Sequence, residues 1–171
     1  MLITDAYRDL NAKMHATSQG FGIEGHKYAQ NVLDFARRVG TTEILDYGAG
    51  RETLKLALSK TPLVVAGYDP AVERLSERPK PADLVTCTDV LEHIEPECLP
   101  EVLADIRGLM KRAAYFIITT KLAGKPLPDG TNPHRIVQPS HWWHGRLVEA
   151  GFRVINVREI VLNKRYEFLC A

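Results

Sequence analysis

A histidine and several carboxylates follow an apolar run in the segment CTDVLEHIEPE, residues 87–97. Asp89, Glu92 and His93 are the three that could act together, because residues three and four positions apart share one face of a helical turn. Two carboxylates and an imidazole on one face form a binding set for a divalent cation. Alternatively, Asp89 caps a helix and Glu92 completes a capping box, while His93 accepts a proton from a substrate or shapes a pocket. Asp89 and His93 are therefore the candidate catalytic residues.

Two glycines form a second candidate site in the segment ILDYGAGRE, residues 44–52. Gly48 and Gly50 allow a tight turn and a close approach of the backbone to a ligand. A predicted helix N-terminus follows, where free N–H groups favour negative charge. Asp69 stands nineteen residues after Gly50, at the end of the next apolar run. A carboxylate in that position can accept hydrogen bonds from both hydroxyls of an adenosine ribose.

Aromatic and basic side chains are concentrated in the segment LPDGTNPHRIVQPSHWWHG, residues 127–145. His134 and Arg135 stand in a predicted loop, where Arg135 could hold an anion. Trp142 and Trp143 could stack on a sugar or a base, or they could pack a helix onto the sheet. Both roles of the tryptophan pair stay open, and all four residues are candidates for substrate binding.

These candidate residues need a scaffold that brings strand ends together, and the hydrophobic pattern predicts one. Short apolar runs alternate with segments of helical periodicity, which is the signature of βαβ units in a doubly wound, mostly parallel sheet. Strands are predicted at 43–48, 63–69, 82–87 and 113–120, helices at 26–39, 51–60, 71–77, 96–112 and 139–150, and a closing antiparallel hairpin at 152–162 and 165–171. The expected architecture is an α/β Rossmann-like fold in a single domain, residues 1–171.

Composition and charge exclude several classes of protein. The chain of 171 residues is 45% hydrophobic and carries a net charge of +1, which is typical of a globular domain and makes nucleic acid an unexpected partner. Residues 1–110 carry 12 Lys and Arg against 17 Asp and Glu, a net charge of −5. Residues 111–171 carry 10 against 4, a net charge of +6. This asymmetry either reflects solvated side chains or indicates an anionic small-molecule substrate.

No apolar stretch is long enough to cross a membrane, and the segment MLITDAYRDL lacks the apolar core of a signal peptide. We therefore expect a cytoplasmic protein with no membrane partner. Cys87, Cys98 and Cys170 are scattered and lack the spacing of a zinc cage or a disulfide framework. The sequence makes no prediction of oligomeric state.

The segments ILDYGAG, GYDP and ADLVTCTDVLEHI resemble, in order and spacing, the class I S-adenosylmethionine-dependent methyltransferases over about residues 26–160. The resemblance implies S-adenosylmethionine as cofactor, with its methionine moiety at the glycine turn, its ribose at Asp69 and its adenine or sulfonium against Thr88. The N-terminal segment 1–25, with its Gly-rich end, is expected either to close over the cofactor as a lid or to be a mobile segment. The implied cofactor-binding residues are Asp46, Gly48, Ala49, Gly50, Asp69, Pro70, Thr88, Phe21 and Tyr28.

The sequence departs from this family in two places. Only twelve residues separate Asp69 from Ala82, where the family fits a helix and a further strand, so the third strand is predicted to be missing or vestigial. Glu52 stands two residues after Gly50, where a dinucleotide-binding dehydrogenase has a glycine facing a pyrophosphate. A carboxylate there would repel a pyrophosphate but tolerate a sulfonium, which favours methyl transfer over hydride transfer.

The pattern D-x-x-E-H at residues 89–93 is similar to the E-x-x-E-H of small-RNA 2′-O-methyltransferases and ubiquinone-pathway O-methyltransferases. The small-RNA enzymes complete a metal site with a later histidine, and TNPHR offers His134 in the corresponding loop. The resemblance therefore implies a divalent cation at Asp89, Glu92, His93 and His134. The aspartate in place of the first glutamate has a shorter reach, which is expected to weaken or abolish the metal site.

Three functions are compatible with these residues. The first is methylation, preferably O-methylation, of a small molecule or a nucleotide sugar, with or without a divalent cation. The second is 2′-O-methylation of RNA, which the small net charge disfavours. The third is a catalytically inactive binding subunit with a methyltransferase fold. Residues 121–145, part of which resembles loops of small bacterial and phage methyltransferases, are expected to form the substrate-side loop.

Overall fold

Six strands form one sheet at the centre of the protein, whose computed structural model describes residues 1–127, 129–162 and 164–171. The strands are β1 (Glu43–Tyr47), β2 (Val64–Tyr68), β3 (Ala82–Thr88), β4 (Met110–Thr119), β5 (Val154–Val161) and β6 (Arg165–Cys170). Their order in the sheet is β2-β1-β3-β4-β6-β5. The first four strands pair in parallel, whereas β6 runs antiparallel to both β4 and β5. The predicted mostly parallel sheet with a closing hairpin is confirmed.

The segment between β2 and β3 contains no strand in residues 69–81, all of which the structure describes. Its one regular element is a 3₁₀ turn, Glu73–Leu75. The strand β2 is therefore at the edge of the sheet, and the prediction that the third strand is missing is confirmed. The helix predicted at 71–77 is wrong, because Asp69 N–H donates back to Leu75 C=O and Val72 N–H to Asp69 C=O, which closes a compact turn instead.

The described residues form five α-helices: α1 (Asp5–Thr17), α2 (Ala29–Val39), α3 (Thr53–Ala57), α4 (Leu99–Leu109) and α5 (Ser140–Glu149). Helices α4 and α5 pack on one face of the sheet, and α2 and α3 pack on the other. Helix α4 buries residues at three- and four-residue spacing, which is the pattern of a helix with one apolar face. Helix α2 ends at Gly40, whose φ of 71° is the left-handed conformation that glycine adopts readily. Helix α3 is shorter than the predicted 51–60.

Helix α1 lies in the N-terminal segment, for which the sequence predicted either a lid or a mobile segment and no helix. Its N-cap is Thr4, whose hydroxyl oxygen accepts a hydrogen bond from Tyr7 N–H at 3.2 Å. The backbone N–H and the hydroxyl of Thr4 donate to the two carboxylate oxygens of Glu95, at 2.9 and 2.7 Å. Tyr7 is the one buried residue of the helix. The start of α1 is therefore fixed to the loop that follows β3.

The three cysteines are buried free thiols, as expected for small apolar side chains. In the part of the chain that the structure describes, none of the helices combines the length and the apolar character of a membrane span.

Candidate active site

A cavity of about 550 Å³ opens at the carboxyl ends of β1 to β4. This is the edge at which doubly wound sheets bind their ligands, and the volume is within the ordinary range of small-molecule sites. Residues from the glycine turn, from the turn after β3, from α1 and from the substrate-side loop all line the cavity. The predicted cofactor residues that line it are Asp46, Gly48, Ala49, Gly50, Asp69, Pro70, Thr88 and Phe21.

The glycine turn leaves no space for side chains. Gly48 has φ +82°, and a Cβ on it would lie 2.4 Å from a methyl carbon of Val90. Gly50 has φ +50°, and a Cβ on it would lie 2.8 Å from the carbonyl oxygen of Gly22. Because the second contact is with backbone, it cannot be relieved by rotating a side chain. The turn therefore favours glycine at both positions because it packs closely against Val90 and Gly22. The contact of these glycines with a cofactor stays a prediction.

Two buried carboxylates flank the turn. Asp69 accepts hydrogen bonds from Gly50 N–H and Ala71 N–H, each at 3.0 Å. Asp46 accepts from the hydroxyl of Thr86 at 3.1 Å. Burial raises the pKa of Asp46 to about 7, although the hydrogen bond from Thr86 opposes the rise. Each carboxylate lines the cavity and retains acceptor capacity for a polar or cationic ligand.

The carboxylate of Glu52 is outside the cavity lining. It forms ion pairs with Lys55, at 2.8 Å, and with Arg74. These two partners draw the side chain away from the turn. The repulsion between Glu52 and a pyrophosphate that the sequence suggested therefore finds no support, and hydride transfer is not excluded on that ground.

The N-terminal segment is fastened to the glycine turn by Arg51. Its guanidinium donates to the carbonyl oxygens of His15, Ser18 and Phe21, at 2.6, 3.0 and 3.1 Å, and its backbone N–H donates to Gly22 at 3.0 Å. The ring of Phe21 lies edge-on to that of His15 and lines the cavity. The segment therefore covers the glycine turn, and its closure over a cofactor as a lid stays a prediction.

Replacing Arg51 with alanine is expected to speed amide exchange in residues 15–22 about tenfold. The change removes three hydrogen bonds from a charged donor to carbonyls, and a loss of about 1.4 kcal/mol in local stability corresponds to tenfold more frequent opening. Hydrogen–deuterium exchange followed by mass spectrometry measures the effect. Arg37→Ala is the control, because Arg37 is exposed and pairs with Asp34 on α2. Unchanged exchange in residues 15–22 would show that Arg51 does not hold the segment.

Tyr28 does not line the cavity, which corrects its prediction as a cofactor contact. Its hydroxyl donates to Asp89 at 2.5 Å and its ring is buried against α2. Burial, together with the charge of Asp89, raises the pKa of Tyr28 above its usual value. Tyr28 therefore positions Asp89 from behind the cavity wall.

Glu92, His93 and His134 converge in the cavity. Each offers one potential ligand atom within 4.8 Å of those of the other two. Glu92 is fully buried; one carboxylate oxygen accepts from Thr119 N–H at 2.9 Å, and the other has no partner among the residues that the structure describes. The His93 and His134 rings lie 4.8 Å apart. This is a set of two imidazoles and one carboxylate with unused acceptor capacity.

The ring orientation of both histidines is fixed by backbone carbonyls. His93 Nδ1 lies 3.0 Å from the carbonyl oxygen of Pro133, and His134 Nδ1 lies 2.5 Å from that of Lys121. Because a carbonyl can only accept, Nδ1 carries the proton in each ring, and the neutral ring keeps its lone pair on Nε2. A backbone acceptor on the far nitrogen is the usual arrangement of a metal-binding histidine.

Burial governs protonation in this cluster. It lowers the pKa of His93 to about 4, with a further contribution from His134, and keeps the ring neutral at physiological pH. Burial and the charge of Asp89 raise the pKa of Glu92 to about 8. Both pKa shifts arise because burial disfavours the charged form of each side chain when no partner is bound.

Asp89 does not belong to this cluster, which corrects two predictions. It has φ +53° and precedes the 3₁₀ turn Leu91–His93, which has no side-chain cap, so the predicted capping box is absent from these described residues. Its carboxylate instead accepts from the hydroxyl of Thr119 at 3.0 Å and pairs with Arg165 at 3.2 Å. Because its left-handed backbone turns it away from the helical face, the metal set of four residues becomes a set of three. Asp89 still lines the cavity.

Three of the four predicted substrate residues are outside the cavity lining. Trp143 is fully buried in the core, and Trp142 packs edge-on against it at 5.1 Å with Arg146 over its ring. Arg135 is exposed and stands 5.7 Å from the ring centre of Tyr7. The tryptophans therefore pack α5 onto the sheet, which is the second of the two roles predicted for them. Of the four predicted substrate residues, only His134 lines the cavity.

Cavity residues from α1 and from the strand ends were not predicted from the sequence. Tyr7, Asn11 and His15 follow at four-residue spacing and line the cavity together, as do Lys121 and Arg165. His15 Nε2 lies 3.9 Å from Asp69, and burial lowers the pKa of His15 despite that carboxylate. The four-residue spacing and the Thr4-Asp5 start were the available signals for this helix.

Comparison with known proteins identifies the family. A family model described as a methyltransferase domain matches residues 19–161. The chain belongs to this family. The methyltransferase has no significant sequence match among curated proteins. The matched range contains the glycine turn, Asp69 and the Glu92–His93–His134 cluster, whereas the whole of α1 precedes it.

Solved structures share the fold of the methyltransferase. A 1,6-didemethyltoxoflavin N1-methyltransferase from Burkholderia thailandensis, solved with 1,6-didemethyltoxoflavin and S-adenosylhomocysteine, gives a TM-score of 0.68 at 16% identity and covers 96% of this chain and 88% of its own. Mitomycin 7-O-methyltransferase gives 0.67 at 16% identity, with 94% and 60% covered. An O-methyltransferase family protein from B. thailandensis gives 0.59 at 16% identity, with 91% and 60% covered. The methyltransferase thus spans about 60% of the length of the last two proteins.

Proposed function

We propose that the methyltransferase transfers the methyl group of S-adenosylmethionine to a hydroxyl of a small molecule, with a divalent cation at Glu92, His93 and His134 assisting. The observation that carries the proposal is that one cavity joins the glycine turn and Asp69 to this three-residue cluster. The glycine turn and Asp69 suit an adenosyl sulfonium, and the Glu92–His93–His134 cluster suits the methyl acceptor. The structure of a relative with S-adenosylhomocysteine, the demethylated cofactor, supports the choice of cofactor.

The cofactor would lie along the sheet edge. The two carboxylate oxygens of Asp69, each already fixed by one backbone N–H, would accept the two ribose hydroxyls. Asp46 would face the positive charge of the methionine moiety. Pro70 and Ala71 line the part of the cavity beyond Asp69, where adenine would rest.

Methyl transfer needs alignment of the acceptor oxygen with the C–S bond and removal of the hydroxyl proton. The oxygen would form a bond to the methyl carbon, and the C–S bond would break with its electron pair staying on sulfur. The hydroxyl proton would pass to solvent water where a cation holds the oxygen as its anion, and to His93 where no cation is bound. Alignment alone can supply several kcal/mol, up to about 7–11 kcal/mol in the best cases. A cation at the cluster would lower the pKa of the hydroxyl and orient it. The residues present fit such an ion, since Glu92 and both histidines have unused acceptors.

Lys121 and Arg165 are the cations that line the cavity, and they would contact an anionic acceptor in place of the predicted Arg135. The RNA 2′-O-methyltransferase alternative is supported by the similarity of residues 89–93 to that group, but the small net charge of the chain disfavours it. The alternative of a catalytically inactive binding subunit would keep cofactor binding and lack turnover.

Isothermal titration of the protein with S-adenosylmethionine tests the proposal. We expect saturable binding of one cofactor per chain and a rise in the melting temperature, because a ligand that binds only the folded state stabilises it. Titration with NAD is the matched control, since it tests the hydride-transfer alternative on the same glycine turn. Binding of NAD without binding of S-adenosylmethionine would overturn the proposal.

The affinity for S-adenosylmethionine is expected to rise about eightfold between pH 6 and pH 7.5. Burial raises the pKa of Asp46 to about 7 in the free protein, and a positively charged methionine moiety binds the ionised form. Below the pKa the carboxyl must lose a proton on binding, so affinity is lost as pH falls and levels off above it. Calorimetry across this range measures the slope, and Asp46→Asn should remove it. A pH-independent affinity in the native protein would contradict a contact with Asp46.

A further inference from the structure

Helix α1 reaches the cofactor side of the cavity through His15. The helix has 13 residues and extends about 20 Å. Its N-cap, Thr4, is hydrogen-bonded to Glu95, in the loop after β3. Near its other end the side chain of His15 lines the cavity, and its Nε2 lies 3.9 Å from a carboxylate oxygen of Asp69. One imidazole of the N-terminal segment therefore stands beside the proposed ribose site.

The ring of His15 is fixed in this position by the residues around it. It lies edge-on to the ring of Phe21, with the ring centres 4.8 Å apart. It also packs on the backbone of Gly22, where a Cβ would lie 2.6 Å from the ring carbon Cε1. The carbonyl oxygen of His15 accepts a hydrogen bond from the guanidinium of Arg51 at 2.6 Å. The imidazole is therefore held beside Asp69 before any ligand binds.

The ring of His15 is a neutral hydrogen-bond donor in the free protein. Burial lowers the pKa of His15, and the charge of Asp69 opposes this shift while that of Arg51 adds to it. Nδ1 is buried and has no hydrogen-bond partner in the part of the chain that the structure describes. The proton of the neutral ring therefore lies on Nε2, where the carboxylate of Asp69 attracts it. The side chain is 14% exposed.

The gap between His15 and Asp69 suits a hydroxyl group. At 3.9 Å, Nε2 and the carboxylate oxygen are too far apart for a direct hydrogen bond. A single oxygen atom can bridge them, because each of its own hydrogen bonds is about 2.8 Å long. A bridging atom must accept from Nε2–H and donate to the carboxylate, and a hydroxyl does both. A protonated amine has no lone pair with which to accept.

We infer that His15 is a second ligand of the cofactor ribose, such that one ribose hydroxyl donates to Asp69 and accepts a hydrogen bond from His15 Nε2–H. The inference rests on the proposed function, which places the ribose at Asp69. It makes α1 part of the cofactor site, so that bound cofactor holds the N-terminal segment over the cavity. It also makes the site selective for a ribose over a deoxyribose that lacks the bridging hydroxyl.

The test is a calorimetric titration of native protein and His15→Phe with three ligands: S-adenosylhomocysteine and its 2′-deoxy and 3′-deoxy analogues. Phenylalanine retains a ring that can pack against Phe21 and Gly22 but has no N–H to donate. We expect His15→Phe to bind S-adenosylhomocysteine about tenfold more weakly, as the loss of one hydrogen bond does. The analogue that lacks the bridging hydroxyl should bind both proteins with affinities within about twofold of each other.

Two further variants separate the hydrogen bond from support of the segment. His15→Gln retains a donor N–H on its amide and should bind S-adenosylhomocysteine within about threefold of the native protein. His141→Ala is the control, because His141 is exposed on α5 and outside the cavity lining. Hydrogen–deuterium exchange supplies a second measurement. Bound S-adenosylhomocysteine should slow exchange in residues 5–17 of the native protein, and slow it less in His15→Phe.

The outcomes distinguish this inference from the proposed function. If His15→Phe weakens all three ligands equally, the ring only supports the segment and the hydrogen bond is wrong. If His15→Phe binds S-adenosylhomocysteine as the native protein does, His15 is not a ribose ligand. Either result leaves the proposed function standing, because the native protein still binds the demethylated cofactor. A native protein that does not bind S-adenosylhomocysteine would instead overturn the proposed function, and the ribose contact with it.

Discussion

Replacing Asp69 with alanine is expected to weaken the binding of S-adenosylmethionine about a hundredfold to ten-thousandfold. The carboxylate would accept two ribose hydroxyls, and hydrogen bonds to a charged group contribute about 1.5–3 kcal/mol each. The loss of affinity is larger still because Asp69 accepts hydrogen bonds from Gly50 N–H and Ala71 N–H, and both donors would lose their acceptor. Calorimetric titration of the variant against the native protein measures the ratio of dissociation constants.

Glu73→Ala is the matched control for this change. Glu73 follows the same strand, carries the same charge and is exposed outside the cavity lining. Its replacement should leave the affinity within about threefold, because an exposed charge at that distance is screened by salt. A melting curve of each variant checks that the fold is intact. Asp69→Ala with near-native affinity would mean that the ribose does not lie at this carboxylate.

Three residues of the proposed cofactor half of the cavity could be predicted from the sequence because each of them follows an apolar strand. Parallel strands end at one edge of the sheet, so Gly48, Asp69 and Thr88 meet there whatever the loops between them do. The spacing of Gly48 and Gly50 also predicted a tight turn. In the structure both glycines have positive φ, and Gly50 lies too close to Gly22 for a side chain. The missing strand was equally predictable, because the proline-rich segment after Asp69 is too short for it.

The acceptor half depended on contacts between segments distant in the sequence. Asp89 was expected to open a helical turn, but Tyr28 and Arg165, from opposite ends of the chain, hold its carboxylate in place. Helix α1 was not predicted, because Tyr7 is its one buried residue. A single buried residue leaves no periodic apolar pattern in the sequence. Its position is set by the hydrogen bonds from Thr4 to Glu95, which no local sequence pattern predicts.

The tryptophan pair shows why composition alone does not place an acceptor site. Paired indoles suit either stacking on a ligand or core packing, and the choice depends on the direction in which α5 faces. Here the first turn of α5 directs Trp143 into the core between the helix and the sheet, with Trp142 against it. The same segment nevertheless supplies His134, because Asn132 fixes the loop by accepting from Ala123 N–H and His134 N–H.

Replacing His93 with alanine is expected to weaken the binding of one Mn²⁺ or Zn²⁺ ion more than a hundredfold. Loss of a partner that merely orients a metal ligand costs about 10–100-fold in affinity, and His93 would be a ligand itself. Two imidazoles and a carboxylate suit these ions, because imidazole is a good ligand for transition metals. Equilibrium dialysis of native and variant protein loaded with S-adenosylhomocysteine measures bound metal directly and requires no known acceptor.

His144→Ala is the control for this change, because His144 is exposed on α5 and outside the cavity lining. S-adenosylhomocysteine should bind His93→Ala as it binds the native protein, since the histidine lies in the acceptor half. His134→Ala should weaken metal binding to a similar degree, because each ring offers a potential ligand atom within 4.8 Å of those of the other two residues, while its Nδ1 is held by a carbonyl oxygen. If the native protein binds no divalent ion but still transfers methyl groups, the proposed role of the cation is wrong. His93 would then be left to accept the proton, a task for which its pKa of about 4 makes it a weak base.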